Sequence, residues 1–244
     1  MPTTSKKVAL VTGANKGIGL AIARELAKSG MTVLLGARDA TLGEQAAAKL
    51  REEQLDAQFL QLDLVHPETI AAAAAKIAAQ FQHLDVLVNN AAILDSGDGP
   101  PSTADIESVR RTFDTNFLGT LAVTQAMLPL LRKAEQARIV NLSSGLGSIQ
   151  FNSDPNWSFA AFKLIGYNAS KAALNMLTVQ LAYELRETAI KVNSVSPGYV
   201  ATDMTQNQGA LTVEQGAAEP VRLALLPPDG PSGGFFSESG SYPW

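Results

Sequence analysis

The 244-residue sequence contains no cysteine. That absence excludes a disulfide scaffold, a zinc ribbon and a thiol nucleophile together. Histidine is almost as scarce: His66 and His83 are the only two, and they do not make a metal site. Charge is low as well, at 17% of residues against a globular average of about 25%, while 46% are hydrophobic, so a disordered polyelectrolyte is excluded. A formal net charge of −4 gives no general attraction for phosphate backbones, which removes nucleic acid as a main partner. Long apolar runs are missing too. Val8-Ala9-Leu10-Val11 breaks at Thr12-Gly13, too short for a signal segment or a membrane span. A cytoplasmic location is therefore expected, with the Asn-x-Ser triplets at Asn141, Asn156 and Asn168 arising by chance.

What the sequence does contain is alternation. Short apolar runs rich in β-branched residues recur at Val8–Thr12, Thr32–Ala37, Phe59–Leu62, Val86–Val88, Ile139–Leu142 and Lys191–Val195, with a further short one at Gly234–Ser237. Between them lie helical stretches at Ile18–Ser29, Leu42–Glu53, Pro67–Phe81, Ile106–Leu131 and Tyr167–Arg186, and a later helix ending at Leu226 before Pro227-Pro228. Strand and helix in turn predict βαβ units and a parallel sheet. Runs that are apolar on both faces suit strands covered above and below. No repeat, linker or charge block interrupts the series, so residues 1–244 form one α/β domain: a doubly wound, mostly parallel, seven-stranded sheet of Rossmann type. Ligands are expected at the carboxyl ends of its strands.

The first strand-to-helix turn reads Thr12-Gly13-Ala14-Asn15-Lys16-Gly17-Ile18-Gly19. Glycine at 13, 17 and 19 allows a tight turn, close approach of a pyrophosphate and packing of the helix on the sheet. The spacing is neither G-x-G-x-x-G nor a Walker loop. It does resemble the cofactor loop of the short-chain dehydrogenase/reductases, Thr-Gly-x-x-x-Gly-Ile-Gly, and the resemblance runs along nearly the whole chain. It implies that Gly13, Asn15, Lys16, Gly17, Ile18 and Gly19 cradle a nicotinamide dinucleotide. Asp63 then matches the family aspartate that touches the adenine amino group, with Leu64 beside it. Asn89-Asn90-Ala91-Ala92 matches Asn-Asn-Ala-Gly, Ala92 replacing the glycine and Asn90 joining the cofactor site.

NAD-dependent members place an acidic residue at the end of the second strand. That slot here is Ala37, followed by Arg38, and Lys16 sits inside the glycine turn. By resemblance the two cations pair with the ribose 2′-phosphate, so NADP(H) is the expected cofactor. Asp39 leaves an alternative open, since it could hold Arg38 or bind a ribose hydroxyl itself.

Tyr167-Asn168-Ala169-Ser170-Lys171 places a phenol and an ammonium on one helical face. A free phenol titrates at about 10, so a neighbouring cation that favours phenolate would make it a better proton-transfer partner. By resemblance Tyr167 is the catalytic acid and Lys171 tunes it while binding the nicotinamide ribose. Ser144, in Asn141-Leu142-Ser143-Ser144-Gly145, matches the serine that orients the substrate carbonyl, with Ser143 as the neighbouring candidate. Asn116 matches the asparagine that supports a proton relay. Its mid-helix position suggests a local distortion, because asparagine is a mediocre helix former. The loop Pro197–Asp203 matches the one whose Val200 backbone and Thr202 hydroxyl anchor the nicotinamide carboxamide.

The interval from Ser144 to Tyr167 is longer than most of the family shows, and carbonyl reductases carry an insertion here. Residues 150–166 include Phe151, Trp157, Phe159 and Phe162, in a chain only 6% aromatic. Some pack the insertion down; others are expected to line an apolar substrate pocket with Ile93, Leu146, Tyr199 and Met204. The C-terminal stretch from Glu214 to Ser237 also resembles the carbonyl reductase ending. The expected activity is NADPH-dependent reduction of small hydrophobic ketones, aldehydes or quinones by a monomer or dimer. A β-ketoacyl thioester reductase or biosynthetic alcohol dehydrogenase is the alternative within the family. A non-catalytic nucleotide sensor is disfavoured by the presence of Asn116, Ser144, Tyr167 and Lys171 together.

Overall fold

A computed structural model describes residues 6–244. Six strands follow the apolar runs: β1 (Val8–Thr12), β2 (Thr32–Ala37), β3 (Ala57–Gln61), β4 (Val86–Asn89), β5 (Arg138–Leu142) and β6 (Lys191–Val195). β7 (Phe235–Ser237) extends them in parallel. The sheet has eight strands rather than the expected seven, because β8 (Gly240–Ser241) folds back antiparallel onto β7 in a two-residue pairing. No hydrophobic periodicity can reveal so short a strand. The order β3-β2-β1-β4-β5-β6-β7-β8 reverses direction between β1 and β4, which opens a crevice at the carboxyl ends of those strands.

Both faces of the sheet are covered. Ala9, Val11, Val33, Leu35, Val86 and Val88 point to one side, under α1 (Gly17–Lys28), α2 (Ala40–Glu52) and α8 (Val213–Ala224). Their neighbours Val8, Leu10, Leu34 and Leu87 point to the other, under α3 (Pro67–Gln80), α5 (Thr120–Leu131) and α7 (Ile165–Glu184). Strand side chains alternate, so two cores require both sets of positions to be apolar. The low charge of the sequence follows from this layering.

The stretch expected to be one helix from Ile106 to Leu131 has three parts. It runs as α4 (Ile106–Phe113), then a π-helical segment at Asp114–Gly119, then α5. Asn116 lies in the π segment, so the distortion expected from its position is present. Among the described residues, no helix is long and apolar enough to cross a membrane.

Candidate active site

β1 ends in Thr12, and the chain then turns through Gly13 and Gly17, both left-handed with φ of +64° and +57°. A side chain at Gly13 would bring its Cβ within 2.9 Å of Ala91 Cα, and one at Gly19 within 2.4 Å of Asn90 Nδ2. Gly17 differs, since its nearest neighbour would be Thr202 Cγ2 at 3.8 Å. It faces an opening between the turn and the loop after β6. Lys16 precedes α1 without capping it, so the first N–H groups of α1 are left for a ligand in that opening. Asn90 stands behind the glycine turn. Its amide donates to Thr12 O at 2.8 Å and Gly13 O at 3.1 Å, which braces the turn from behind. Thr12 Oγ1 completes the brace by accepting from Asn90 N and Ala91 N, both at 3.0 Å. Thr12 heads the turn motif, but nothing in the motif alone shows that its hydroxyl braces the turn against the loop after β4.

Arg38 is exposed immediately after β2, and its side chain makes no ion pair among the described residues. Asp39 does not hold it. Asp39 accepts from Leu42 N at 2.9 Å and caps α2. Lys16 reaches the other way, to Asp203 Oδ2 at 2.5 Å, so the glycine turn and the loop after β6 are joined by an exposed ion pair. Asp63 lies beyond the end of β3, where Thr69 Oγ1 accepts from its N–H at 2.9 Å. Leu64 is buried behind it.

Tyr167 and Lys171 both stand on α7, with the ammonium 5.6 Å from the phenol ring centroid. Burial pushes the phenol up to about 12, against a pull downward from the Ser144 side chain. In the protein without its cofactor, burial outweighs the neighbouring ammonium, and the phenol keeps its proton at neutral pH. Burial also lowers Lys171, to about 8. Only 3% of Lys171 is exposed, and Nζ donates to Leu142 O at 2.7 Å. Ser144 Oγ accepts from Leu146 N at 3.1 Å in the turn after β5. Ser143 is buried instead and donates to Lys171 O at 3.4 Å. Asn116 uses its whole side chain within the protein. Its Oδ1 accepts from Ile93 N at 2.8 Å, and Nδ2 donates to Ile93 O at 2.9 Å and Ser170 Oγ at 3.1 Å. Tyr167 N–H and Gly166 N–H both donate to the carboxylate of Asp98, a residue the sequence reading did not single out.

Between Ser144 and Tyr167 the insertion forms the short helix α6 (Ile149–Ser153) and a series of turns. Its rings form a continuous ladder: Phe151 stacks on Trp157 at 5.1 Å, Trp157 meets Phe159 at 5.5 Å, and Phe159 meets Tyr199 at 5.9 Å. Tyr242 joins from the C-terminal stretch, 5.1 Å from Phe151. A Cβ on Gly145, next to Ser144, would lie 3.3 Å from Trp157 and 3.6 Å from Tyr242. The ladder therefore closes over the serine turn. Leu146 also borders a second space, an apolar cavity of about 400 Å³ lined by Ile149, Leu164, Ala169 and Ala172. These α7 residues point away from Tyr167 and Lys171, on the opposite side of the helix.

The profile of the family described as short chain dehydrogenase matches residues 7–211. The chain belongs to the short-chain dehydrogenase family. Carbonyl reductase 1 (NADPH) of Mus musculus is 36% identical across 99% of this chain and all of its own length. A (+)-neomenthol dehydrogenase of Arabidopsis thaliana is 35% identical, covering 97% and 98% of the two chains. In three dimensions this short-chain dehydrogenase superposes on the NADPH-bound carbonyl reductase from chicken fatty liver with a TM-score of 0.85, at 30% identity over 98% and 99% of the chains.

As a member of this family the protein is an oxidoreductase that works with a nicotinamide cofactor. The turn of this short-chain dehydrogenase fits such a group. Gly17 leaves open space where an added Cβ would otherwise begin to fill the cradle, the N-terminus of α1 is uncapped, and Arg38 stands exposed beyond β2.

Proposed function

We propose that this short-chain dehydrogenase is an NADPH-dependent carbonyl reductase acting on hydrophobic ketones, aldehydes and quinones. The observation that carries the reading is the meeting of Tyr167 and Ser144 beside the buried Lys171, beneath an aromatic ladder. The cofactor, when bound, supplies the hydride. Gly13, Asn15, Lys16, Gly17, Ile18 and Gly19 hold its pyrophosphate, Arg38 reads the 2′-phosphate, and Asp63 and Leu64 border the adenine. Asn90 braces the turn and joins the cofactor site. Val200 and Thr202 anchor the carboxamide.

Tyr167 donates its proton to the substrate oxygen as the carbonyl becomes an alcohol. Its high pKa in the free protein supports the donor form at neutral pH. Ser144 orients the same oxygen, and Lys171 favours the phenolate left behind. Both donor hydrogens of the Asn116 side chain are already engaged. Its backbone carbonyl, in the widened π turn, is the group to hold a relay water that returns a proton towards Tyr167. Tyr199 and the rings of the insertion bound the substrate, with Leu146 at the edge between the two spaces.

Tyr167→Phe is expected to keep NADPH affinity, measured by fluorescence titration, and to lose most turnover on a panel of aromatic ketones, aldehydes and quinones. Near-normal turnover would defeat the assignment. NADPH is expected to give a higher kcat/KM than NADH, with Arg38→Ala narrowing the gap; equal values in the unmodified protein would remove the cofactor assignment. Turnover of acetoacetyl thioesters without turnover of aromatic ketones or quinones would replace the substrate class by β-ketoacyl thioesters.

A further inference from the structure

The helix that carries Tyr167 begins without a cap of its own. Leu164, just before α7, makes no side-chain hydrogen bond to its first turn, although the leading N–H groups of any helix need acceptors. Those acceptors come from the loop after β4, distant in sequence. Asp98 Oδ1 accepts from Gly166 N at 2.9 Å, and Asp98 Oδ2 accepts from Tyr167 N at 2.8 Å. Oδ1 also accepts from Gly99 N at 2.8 Å, which fixes the carboxylate on its own loop. One of the two helix amides held in this way belongs to Tyr167 itself.

The surroundings are shaped to admit that carboxylate. A Cβ on Gly166 would lie 3.1 Å from Asp98 Oδ2 and 3.2 Å from Val109 Cα, so a side chain there would press against both the cap and α4. The loop is in turn tied to α4. Arg111 donates to both oxygens of Asp95 at 2.8 and 3.2 Å, and Asp98 N donates to Asp95 O at 3.1 Å. Gly97 lies so close to α4 that a Cβ on it would fall 2.2 Å from Ser108 Oγ. Ile165, the first residue of α7, donates its N–H to Gly99 O at 2.9 Å. Asp98 is thus presented to α7 from a braced platform.

We infer that Asp98 is a positioning residue for Tyr167, setting the first turn of α7 so that the phenol stays aligned with Ser144. A charged acceptor at a helix N-terminus combines strong hydrogen bonds with a favourable dipole interaction. Lys171 lies a turn further on and is anchored separately to Leu142 O, so its place does not depend on this cap. The inference rests on the reading of Tyr167 as the proton donor. It assigns the loss, when Asp98 is removed, to turnover and not to cofactor binding.

The full-length protein carries the test. Asp98→Ala is expected to lower kcat about 10- to 100-fold, the scale of a small misplacement of a reacting group, with the Kd for NADPH within about twofold of the parent, a margin that is small beside the tenfold represented by 1.4 kcal/mol. Asp98→Asn, which keeps one acceptor oxygen, is expected to recover an intermediate kcat. Thr212→Ala is the control for stability alone. Thr212 Oγ1 caps α8 by accepting from Gln215 N at 3.2 Å, and its removal is expected to lower Tm comparably while leaving kcat near the parent value. The inference is overturned if Asp98→Ala retains full kcat, if NADPH affinity falls together with kcat, if Asp98→Asn is no better than Asp98→Ala, or if Thr212→Ala loses as much turnover. Tyr167→Phe measured alongside separates the two levels. An active Tyr167→Phe protein defeats the catalytic assignment, whereas an inactive one with fully active Asp98→Ala defeats only the positioning role.

Discussion

Lys171 is the residue at which burial and charge meet most directly. Its folded pKa of about 8 lies below the ordinary lysine value of 10.5. Between those values the unfolded chain binds more protons than the folded one, so stability rises with pH. The contribution is present above the unfolded pKa and is lost as pH falls through about 8. Denaturant titrations of the parent and Lys171→Met are expected to show the parent losing ground to the mutant as pH is lowered from 10.5 through 8; parallel curves across that range would count against it. Tyr167 has the opposite sign. Its pKa is raised, so its contribution is complete below about 10 and lost as pH rises through about 12. The identities of Tyr167, Lys171, Ser144 and Asn116 were legible because each stands in a short motif. The pKa of Tyr167 was not, because a motif shows the neighbouring ammonium but not the burial that outweighs it. Asp98 was hidden for another reason, since 69 residues separate it from Tyr167 and only the fold brings them together.

Among the elements, strand positions were the most readable: β1, β2 and β6 begin and end where the apolar runs do. The helix from Ile106 to Leu131 was readable in extent, and Asn116 marked where it is distorted, but a single polar residue does not say that the hydrogen-bond step changes to that of a π segment. A third feature lay concealed inside the apolar runs themselves. Asn89 Nδ2 donates to Thr124 Oγ1 at 3.0 Å and Asn141 Oδ1 at 2.8 Å. Asn141 Nδ2 donates to Thr178 Oγ1 at 2.8 Å, which lies 2.8 Å from Ser194 Oγ. This buried belt ties β4, β5 and β6 to α5 and α7. Cutting it leaves polar groups without partners, at a cost of about 1–3 kcal/mol each. Asn141→Leu is expected to destabilise the protein by several times that of an exposed polar-to-apolar change, measured by urea denaturation. A midpoint equal to that of the parent would show that the belt contributes nothing.

Across the whole molecule, the aromatic ladder connects parts that the sequence keeps far apart. Phe235 stacks on Trp244 at 5.5 Å and meets Tyr242 at 5.5 Å, and Tyr242 passes the contact to Phe151 in the insertion. Removal of residues 240–244 is expected to expose Phe151 and Trp157, giving a red-shifted tryptophan emission and faster proteolysis within residues 154–164; an unchanged cleavage rate would show that the insertion holds itself. The overall α/β order was legible from alternation alone, while these ring contacts were not, because nothing in a local pattern says which aromatic meets which. The ion pair between Lys16 and Asp203 carries a different consequence. Lys16 already has an anionic partner, so in its proposed role an arriving phosphate competes with a carboxylate for its ammonium. Salt weakens both pairings together. NADPH affinity is therefore expected to vary less steeply with ionic strength in the parent than in Asp203→Asn, where Lys16 is an uncompensated cation. On the proposed reading of Lys16, the protein meets its ligand as an ion exchanger already loaded with its own counterion.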